Sequence, residues 1–160
     1  MKFEAANVAG PLAFADIAEH STWVAERAFA HAPFASRDAM IEHFSNAVMK
    51  ASKPMQLALL NAHPDLATRA KLTSDSTNEQ KGVGLDTLSA SEFAHFTELN
   101  IQYKSKNGFP FIFAVKGASK QQILEGFSQR LQNSVEVEFV TALQQVCKII
   151  RFRLEDRVRA

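Results

Sequence analysis

Residues 89–108, SASEFAHFTELNIQYKSKNG, contain the start signal, the apolar stripe and the stop signal of one long α-helix. Ser89 and Glu92 have the spacing of a capping box, in which each side chain accepts a hydrogen bond from the other residue's backbone N–H. Apolar side chains, Phe96 and Tyr103 among them, then follow at helical spacing. Gly108 ends the pattern, because glycine readily adopts the left-handed conformation that follows many helices. The stretch therefore predicts an amphipathic helix with one buried face.

Helical periodicity recurs along the chain, whereas the alternation typical of β-strands is almost absent. We expect an all-α fold, a single-domain bundle of about seven to nine helices spanning residues 1–160. One helix should begin at Pro54 and end before His63-Pro64, because the residue before a proline avoids the helical conformation. Its predicted inward side chains are Leu57, Ala58 and Leu60. Further helices are predicted over residues 21–30, 37–50, 121–131 and 135–157.

Composition narrows the functional class. The chain has 160 residues, 46% of them hydrophobic, which suits one compact domain with a real core. Eighteen basic and seventeen acidic side chains leave a net charge of +1, so we expect neither nucleic acid nor a membrane surface as a partner. The lone Cys147 fits a reducing cytoplasm, and no stretch approaches the length of a membrane-spanning helix.

Motifs for cofactor and metal chemistry are absent from the sequence. The five histidines show no HExxH or similar ligand spacing, so we expect no metal. There is also no P-loop, GxGxxG or GxSxG pattern. Any chemistry should therefore be acid/base catalysis by side chains and backbone groups, without a cofactor.

His63 stands between the end of a predicted helix and Pro64, and two interpretations remain open. The side chain can be a polar cap, as histidines at helix ends often are. Alternatively, Pro64 is the first residue of another helix, which puts His63 at the N-cap, beside free backbone N–H groups and the positive end of the helix dipole. That position favours a neutral imidazole next to a bound anion, a suitable arrangement for an acid/base group.

Glu79 lies near the end of a polar stretch, Thr68 to Gln80, that we expect to be partly loop. Ser76 and Glu79 have the spacing of a capping box, which explains both residues structurally. The helix that they would cap contains two glycines in six residues and would be a poor helix. The alternative is that Ser76, Glu79 and Gln80 are positioned for a ligand.

Arg153 falls on the predicted buried stripe of the last helix, whereas Arg151 points well away from it. A buried guanidinium needs a partner, either a structural carboxylate or an anionic group of a substrate. Asn100 poses the same question on the helix of residues 89–107.

Residues 111–115 form a short apolar run that can be a strand or, after Pro110, the start of a helix. The backbone N–H groups of Phe111 to Val115 could bind urea-like or carboxylate oxygens. The phenylalanines nearby can be core residues or the dry wall of a pocket.

Taken together, these segments resemble the 2-oxo-4-hydroxy-4-carboxy-5-ureidoimidazoline (OHCU) decarboxylases of urate breakdown, from the Phe14 region to Asp156. The matching motifs, in chain order, are His63-Pro64-Asp65-Leu66-Ala67, Ser76-x-x-Glu79-Gln80 with Gly84-Leu85, Leu99-Asn100-x-x-Tyr103, Gly108-Phe109-Pro110-Phe111-Ile112, and Lys148 to Leu154.

The resemblance implies an all-α, usually dimeric, cofactor-free enzyme that converts OHCU to (S)-allantoin and CO2. It implies His63 as the acid/base residue, with Glu79 and Arg153 as its main catalytic partners. It also implies a set of substrate-binding residues, namely Pro64, Ser76, Thr77, Asn78, Glu79, Gln80, Phe111, Ile112, Phe113, Ala114 and Val115. The alternatives are a decarboxylase or cyclase for another ureido or imidazoline acid, and an all-α interaction module whose motifs are only caps and turns.

Overall fold

The computed structural model describes residues 1–68 and 73–160. Within these ranges it has eight α-helices and one short 3-10 helix, Pro11–Phe14, which confirms the predicted all-α class and number of helices. None of the described helices combines the length and apolar composition needed to span a membrane. The helices are α1 (Phe3–Ala9), α2 (Trp23–Phe29), α3 (Arg37–Met49), α4 (Lys53–Asn61), α5 (Ser74–Gly82), α6 (Ala90–Asn107), α7 (Lys120–Arg130) and α8 (Val135–Arg157).

The described chain divides into two compact units. The first consists of Met1–Ala62 and Val146–Ala160, and the second is His63–Gln145. In the first unit the ring of Phe14 stacks on Phe29 at 5.5 Å between centroids and meets Phe44 edge-on at 6.2 Å. These rings, together with the buried face of α3, form the core of that unit.

The buried face of α4 differs from the prediction in part. Leu60 is buried as expected, but Leu57 is 40% exposed and Ala58 is exposed too, while Leu59 is fully buried. The prediction of Leu57 and Ala58 as inward residues was wrong because residues 57–60 are all apolar, so periodicity could not identify the face. The buried face of α4 consists of Gln56, Leu59 and Leu60. The side-chain amide of Gln56 donates to the carbonyl of Val48 on α3.

In the second unit α6 begins and ends as its sequence predicts. The Ser89 hydroxyl accepts the Glu92 N–H at 3.1 Å, and Glu92 Oε1 accepts the Ser89 N–H at 3.0 Å. Gly108 then adopts a left-handed conformation with φ of 79°. Phe96, Leu99 and Tyr103 form its buried face. Residues 111–115, in contrast, are neither strand nor helix, so both predicted alternatives for this run were wrong.

Candidate active site

His63 lies just after α4 and is 8% exposed. The predicted helix beginning at Pro64 is wrong for the described residues, because 64–68 are not helical. Ala67 has a φ of 57°, in the left-handed region, which is incompatible with continuing helix. His63 therefore belongs to a structured loop and does not occupy a helix N-cap.

Two buried side-chain amides fix the loop that follows His63. Asn100 on α6 donates from Nδ2 to the carbonyl of Leu66 at 2.9 Å. Gln80 on α5 accepts the N–H of Ala67 at its Oε1, at 3.0 Å. These bonds connect the His63 loop to both α5 and α6, so the structure brings two of the predicted site segments together.

The start of α5 differs from the predicted capping box. Thr73 is the N-cap, and its hydroxyl accepts the N–H of Ser76 at 3.3 Å. Ser76 and Glu79 therefore both lie inside the helix, and the predicted box at these residues was wrong. The true cap lies three residues earlier, and residues 69–72 of the predicted polar stretch lie outside the described residues.

Helix α5 presents its predicted site residues in two groups. Ser76 and Gln80 are buried at 5% and 7% exposure, one turn apart, and Glu79 is half-buried beside them. Thr77 and Asn78 are exposed. Residues 74–80, which were expected to be partly loop, are helical, and the helix ends at Gly82, where glycine disfavours its continuation.

The segment from Phe111 to Val115 presents backbone donors. The N–H of Ala114 donates to Gln145 Oε1 at 2.9 Å. The carbonyl of Ile112 accepts a hydrogen bond from the guanidinium of Arg130. Within residues 1–68 and 73–160, no acceptor is bound by the N–H groups of the remaining members, which are Phe111, Ile112, Phe113 and Val115.

Arg130 belongs to a buried polar cluster behind that segment. Its Nε donates to Glu138 Oε1 at 2.8 Å, and the Tyr103 hydroxyl donates to the same oxygen at 2.6 Å. Asn133 donates to the other oxygen of Glu138 at 2.9 Å. Burial raises the pKa of Tyr103 well above its usual value, and the hydrogen bond to Glu138 raises it further.

Sequence reasoning missed this cluster, although one pattern could have revealed it. Glu138 lies four residues before Ala142 and eight before Val146, on a buried stripe of α8, and it is fully buried. A carboxylate on an apolar stripe requires a buried cation or donor.

Arg153 belongs to the first unit and is 6% exposed, whereas Arg151 is exposed and pairs with Glu155 one turn away, as the stripe predicted. The Arg153 guanidinium donates to Glu19 Oε1 at 2.8 Å and to the carbonyl of Ile17 at 3.2 Å. The Glu19 carboxylate, a structural partner, therefore accepts a hydrogen bond from one of the guanidinium nitrogens of Arg153. Its predicted contact with a substrate stays a prediction.

The second unit thus contains an imidazole, a half-buried carboxylate and backbone donors. These are the groups that proton transfer and the binding of a urea-like or anionic ligand require. The described residues include no cluster of three or more His, Cys, Asp or Glu side chains arranged to hold a metal ion.

Comparison with known proteins identifies several similar chains. The family model described as OHCU decarboxylase matches residues 10–155. The 2-oxo-4-hydroxy-4-carboxy-5-ureidoimidazoline decarboxylase of Haloferax volcanii is 43% identical over 145 residues, which cover 91% of this chain and 86% of that protein. The uric acid degradation bifunctional protein of Bacillus sp. (strain TB-90) is also 43% identical, over 88% of this chain but 28% of that protein. A crystal structure of (S)-allantoin synthase is similar with a TM-score of 0.77 and 30% identity, covering 99% of this chain and 54% of that one.

Proposed function

This chain belongs to the OHCU decarboxylase family, and we infer that it is a carboxy-lyase that converts OHCU to (S)-allantoin and CO2 in urate breakdown. The main support is the match of the family model to residues 10–155, which contain every residue predicted for the site. The similarity to the Haloferax volcanii decarboxylase extends over most of both chains.

The chemistry of the substrate explains why side chains and backbone groups suffice. C4 of OHCU bears the departing carboxylate and a hydroxyl, next to the C5=N bond, so the ring itself accepts the electron pair that CO2 leaves behind. The reaction then needs no added electron sink. Protonation of C5 from one face gives (S)-allantoin, so the protein must supply a proton and a fixed orientation.

We assign the proton transfers to His63. It is buried at 8% exposure, and the loop that follows it is bound by Asn100 at Leu66 and by Gln80 at Ala67, which supports a fixed position for the imidazole. Glu79 lies one residue before Gln80 on α5 and is half-buried, which suits a carboxylate that binds ring or ureido N–H groups. Arg153 is assigned to an anionic oxygen of the substrate.

The remaining predicted binding groups complete the proposal. Pro64 follows His63 in the same loop, and residues 76–80 lie on α5. The unbound N–H groups between Phe111 and Val115 are suited to carboxylate or carbonyl oxygens of the substrate.

The proposal also covers the domain organisation, the cellular location and the oligomeric state of the protein. We expect residues 1–160 to act as one domain, the protein to be cytoplasmic, and the enzyme to be a homodimer. The second unit exposes several apolar side chains that a dimer interface would cover, among them Ile101 at 58%, Val137 at 52% and Val140 at 47%. Light scattering coupled to gel filtration measures the mass in solution and tests the dimer.

Binding of the product separates an enzyme from an interaction module. A ligand that binds only the folded protein at about 100 times its Kd adds about 2.7 kcal/mol to the free energy of unfolding. We expect (S)-allantoin to raise the Tm in proportion to the logarithm of its concentration, and (R)-allantoin to do so less. If neither enantiomer changes the Tm up to its solubility limit, the interaction module becomes the better account.

A further inference from the structure

The segment Phe111 to Val115, which we assign to substrate binding through its backbone, is itself hydrogen-bonded by two side chains, those of Arg130 and Gln145. We propose that Arg130 and Gln145 are positioning residues: Arg130 fixes the carbonyl of Ile112, and Gln145 fixes the N–H of Ala114. These two bonds direct the N–H groups of Phe111, Phe113 and Val115 toward the substrate. This inference rests on the proposed function.

The first anchor is the carbonyl of Ile112. Arg130 is 8% exposed, and Glu138, which is fully buried, accepts its Nε at 2.8 Å. The same guanidinium donates to the Ile112 carbonyl and lies 4.4 Å from the centre of the Phe111 ring. A charged donor fixed by a buried carboxylate forms a stronger and better oriented hydrogen bond than a neutral donor does.

The second anchor is the N–H of Ala114, which donates to Gln145 Oε1 at 2.9 Å. Residues 111–115 form neither helix nor strand, but the two anchors lie two residues apart, which is the repeat of an extended chain, where the N–H and C=O of residues i and i+2 face one side and those of i+1 face the other. Anchors at residues 112 and 114 therefore direct the N–H groups of residues 111, 113 and 115 to the opposite side. Those three N–H groups bind no acceptor in the described part of the chain.

Ring packing fixes the rotation of the segment about its own axis. The Phe111 ring stacks on Phe127 of α7 with centroids 3.7 Å apart and planes 12° from parallel. Phe113 lies against Gly126 of the same helix so closely that an added Cβ there would be 2.9 Å from its Cε2. The segment thus packs against α7 through side chains and is anchored through Arg130 and Gln145.

Preorganisation is the expected benefit. Donors that are fixed before the substrate binds need no reorganisation during the reaction, and they can hold one face of the ring toward the proton donor. Loss of an anchor should therefore reduce both substrate affinity and stereochemical control.

Gln145 allows a clean test, because it is half-buried and its neighbour Gln144 is exposed. Gln145→Met removes the acceptor and keeps the chain length, Gln145→Glu keeps an acceptor oxygen, and Gln144→Met is the matched control. We expect Gln145→Met to raise KM and lower kcat/KM by about tenfold, and to give partly racemic allantoin. Gln145→Glu should recover most of both properties, and Gln144→Met should match the wild type.

Hydrogen exchange on the wild-type protein gives a second test that does not depend on the folding of a variant. We expect the Ala114 amide to be protected without ligand, and the amides of residues 111, 113 and 115 to become protected when (S)-allantoin is added. Equal kcat/KM and equal enantiomeric purity for Gln145→Met and Gln144→Met, or ligand-dependent protection only at Ala114, would overturn the inference. An inactive wild-type protein would instead contradict the proposed function, and this inference with it.

Discussion

The hydroxyl of Tyr103 on α6 donates a 2.6 Å hydrogen bond to Glu138 Oε1 on α8, and both side chains are fully buried. Arg130 on α7 balances the charge of that carboxylate at 2.8 Å. Helices α6 and α7 and the first part of α8 therefore meet at one carboxylate. Because Arg130 also binds the Ile112 carbonyl, the same cluster supports the backbone segment that we assign to substrate binding.

Tyr103 is the only tyrosine of the chain, so its ionisation can be followed directly by the ultraviolet absorbance of phenolate. Burial and the bond to Glu138 raise its pKa, so the folded protein keeps the proton at a pH where the unfolded chain releases it. The resulting contribution to stability is complete below about pH 10 and is lost as the pH rises further.

We therefore expect no phenolate absorbance near pH 10 while the helical circular dichroism remains native. Above that pH the free energy of unfolding should fall more steeply for the wild type than for Tyr103→Phe. Phenolate absorbance that appears near pH 10 in the folded protein would show that Tyr103 is not buried as described.

Gly126→Ala tests the close packing of α7 against Phe113. Alanine is favoured over glycine in a helix by about 1 kcal/mol, but its Cβ would be 2.9 Å from Phe113 Cε2. Overpacking typically costs about 1–3 kcal/mol, so we expect a net decrease in Tm and a lower kcat/KM as the Phe113 segment shifts. Ser128→Ala, on an exposed position of the same helix, is the control and should leave both values unchanged. A higher Tm with normal turnover for Gly126→Ala would show that Phe113 moves without consequence.

Arg153 and Arg151 lie two residues apart on α8 but should respond very differently to substitution. Arg153→Met would leave the Glu19 carboxylate, 2% exposed, without its guanidinium, a loss that costs about 3–5 kcal/mol. Arg151→Met should change the free energy of unfolding by less than about 0.5 kcal/mol, because its pair with Glu155 is exposed. Denaturant titration measures both values.

Glu19→Gln separates the structural role of Arg153 from the proposed catalytic one. It also weakens the buried pair, but it retains the guanidinium. We expect Glu19→Gln and Arg153→Met both to lower stability, and only Arg153→Met to lower kcat/KM per folded molecule, by about 2–4 kcal/mol in transition-state stabilisation. Wild-type kcat/KM in folded Arg153→Met would remove Arg153 from the substrate site.

Features that depend on local signals could be predicted from the sequence. Helix α6 was predicted at both ends, because Ser89, Glu92 and Gly108 act on their immediate neighbours. The burial of Arg153 was also predicted, because the stripe on α8 has clear periodicity. Local spacing was misleading at Ser76 and Glu79, since Thr73 competes for the same cap and its hydroxyl has the required geometry.

The hydrogen-bond partners of the buried polar side chains could not be predicted, because residues far apart in the sequence come together only when the chain folds. Nothing near Arg153 in the sequence indicates Glu19, which is 134 residues away. The bond from Ala114 to Gln145 likewise joins residues 31 positions apart. The sequence therefore indicated candidate residues for the site, whose contact with substrate stays a prediction, whereas it gave no sign of side chains such as Glu19 and Gln145 that hold the candidate segments in place.

His63→Asn tests the proposed acid/base residue. Asparagine retains hydrogen-bonding capacity but cannot transfer a proton at neutral pH, so we expect kcat to fall by at least about a hundredfold. The Tm and circular dichroism should remain nearly unchanged. His95→Asn, at an exposed position of α6, is the control and should keep full activity. A folded His63→Asn protein with near wild-type turnover would remove His63 from the mechanism.

The stereochemistry of the product tests the central claim most directly, because OHCU also decays without enzyme and is then protonated from both faces. Substrate should be generated freshly by urate oxidase and hydroxyisourate hydrolase, in the presence of a chelator, and followed by circular dichroism. We predict that this protein produces a fast and persistent signal of (S)-allantoin, since the proposed site holds one face of the ring toward His63. Racemic allantoin formed at the uncatalysed rate would contradict the assignment.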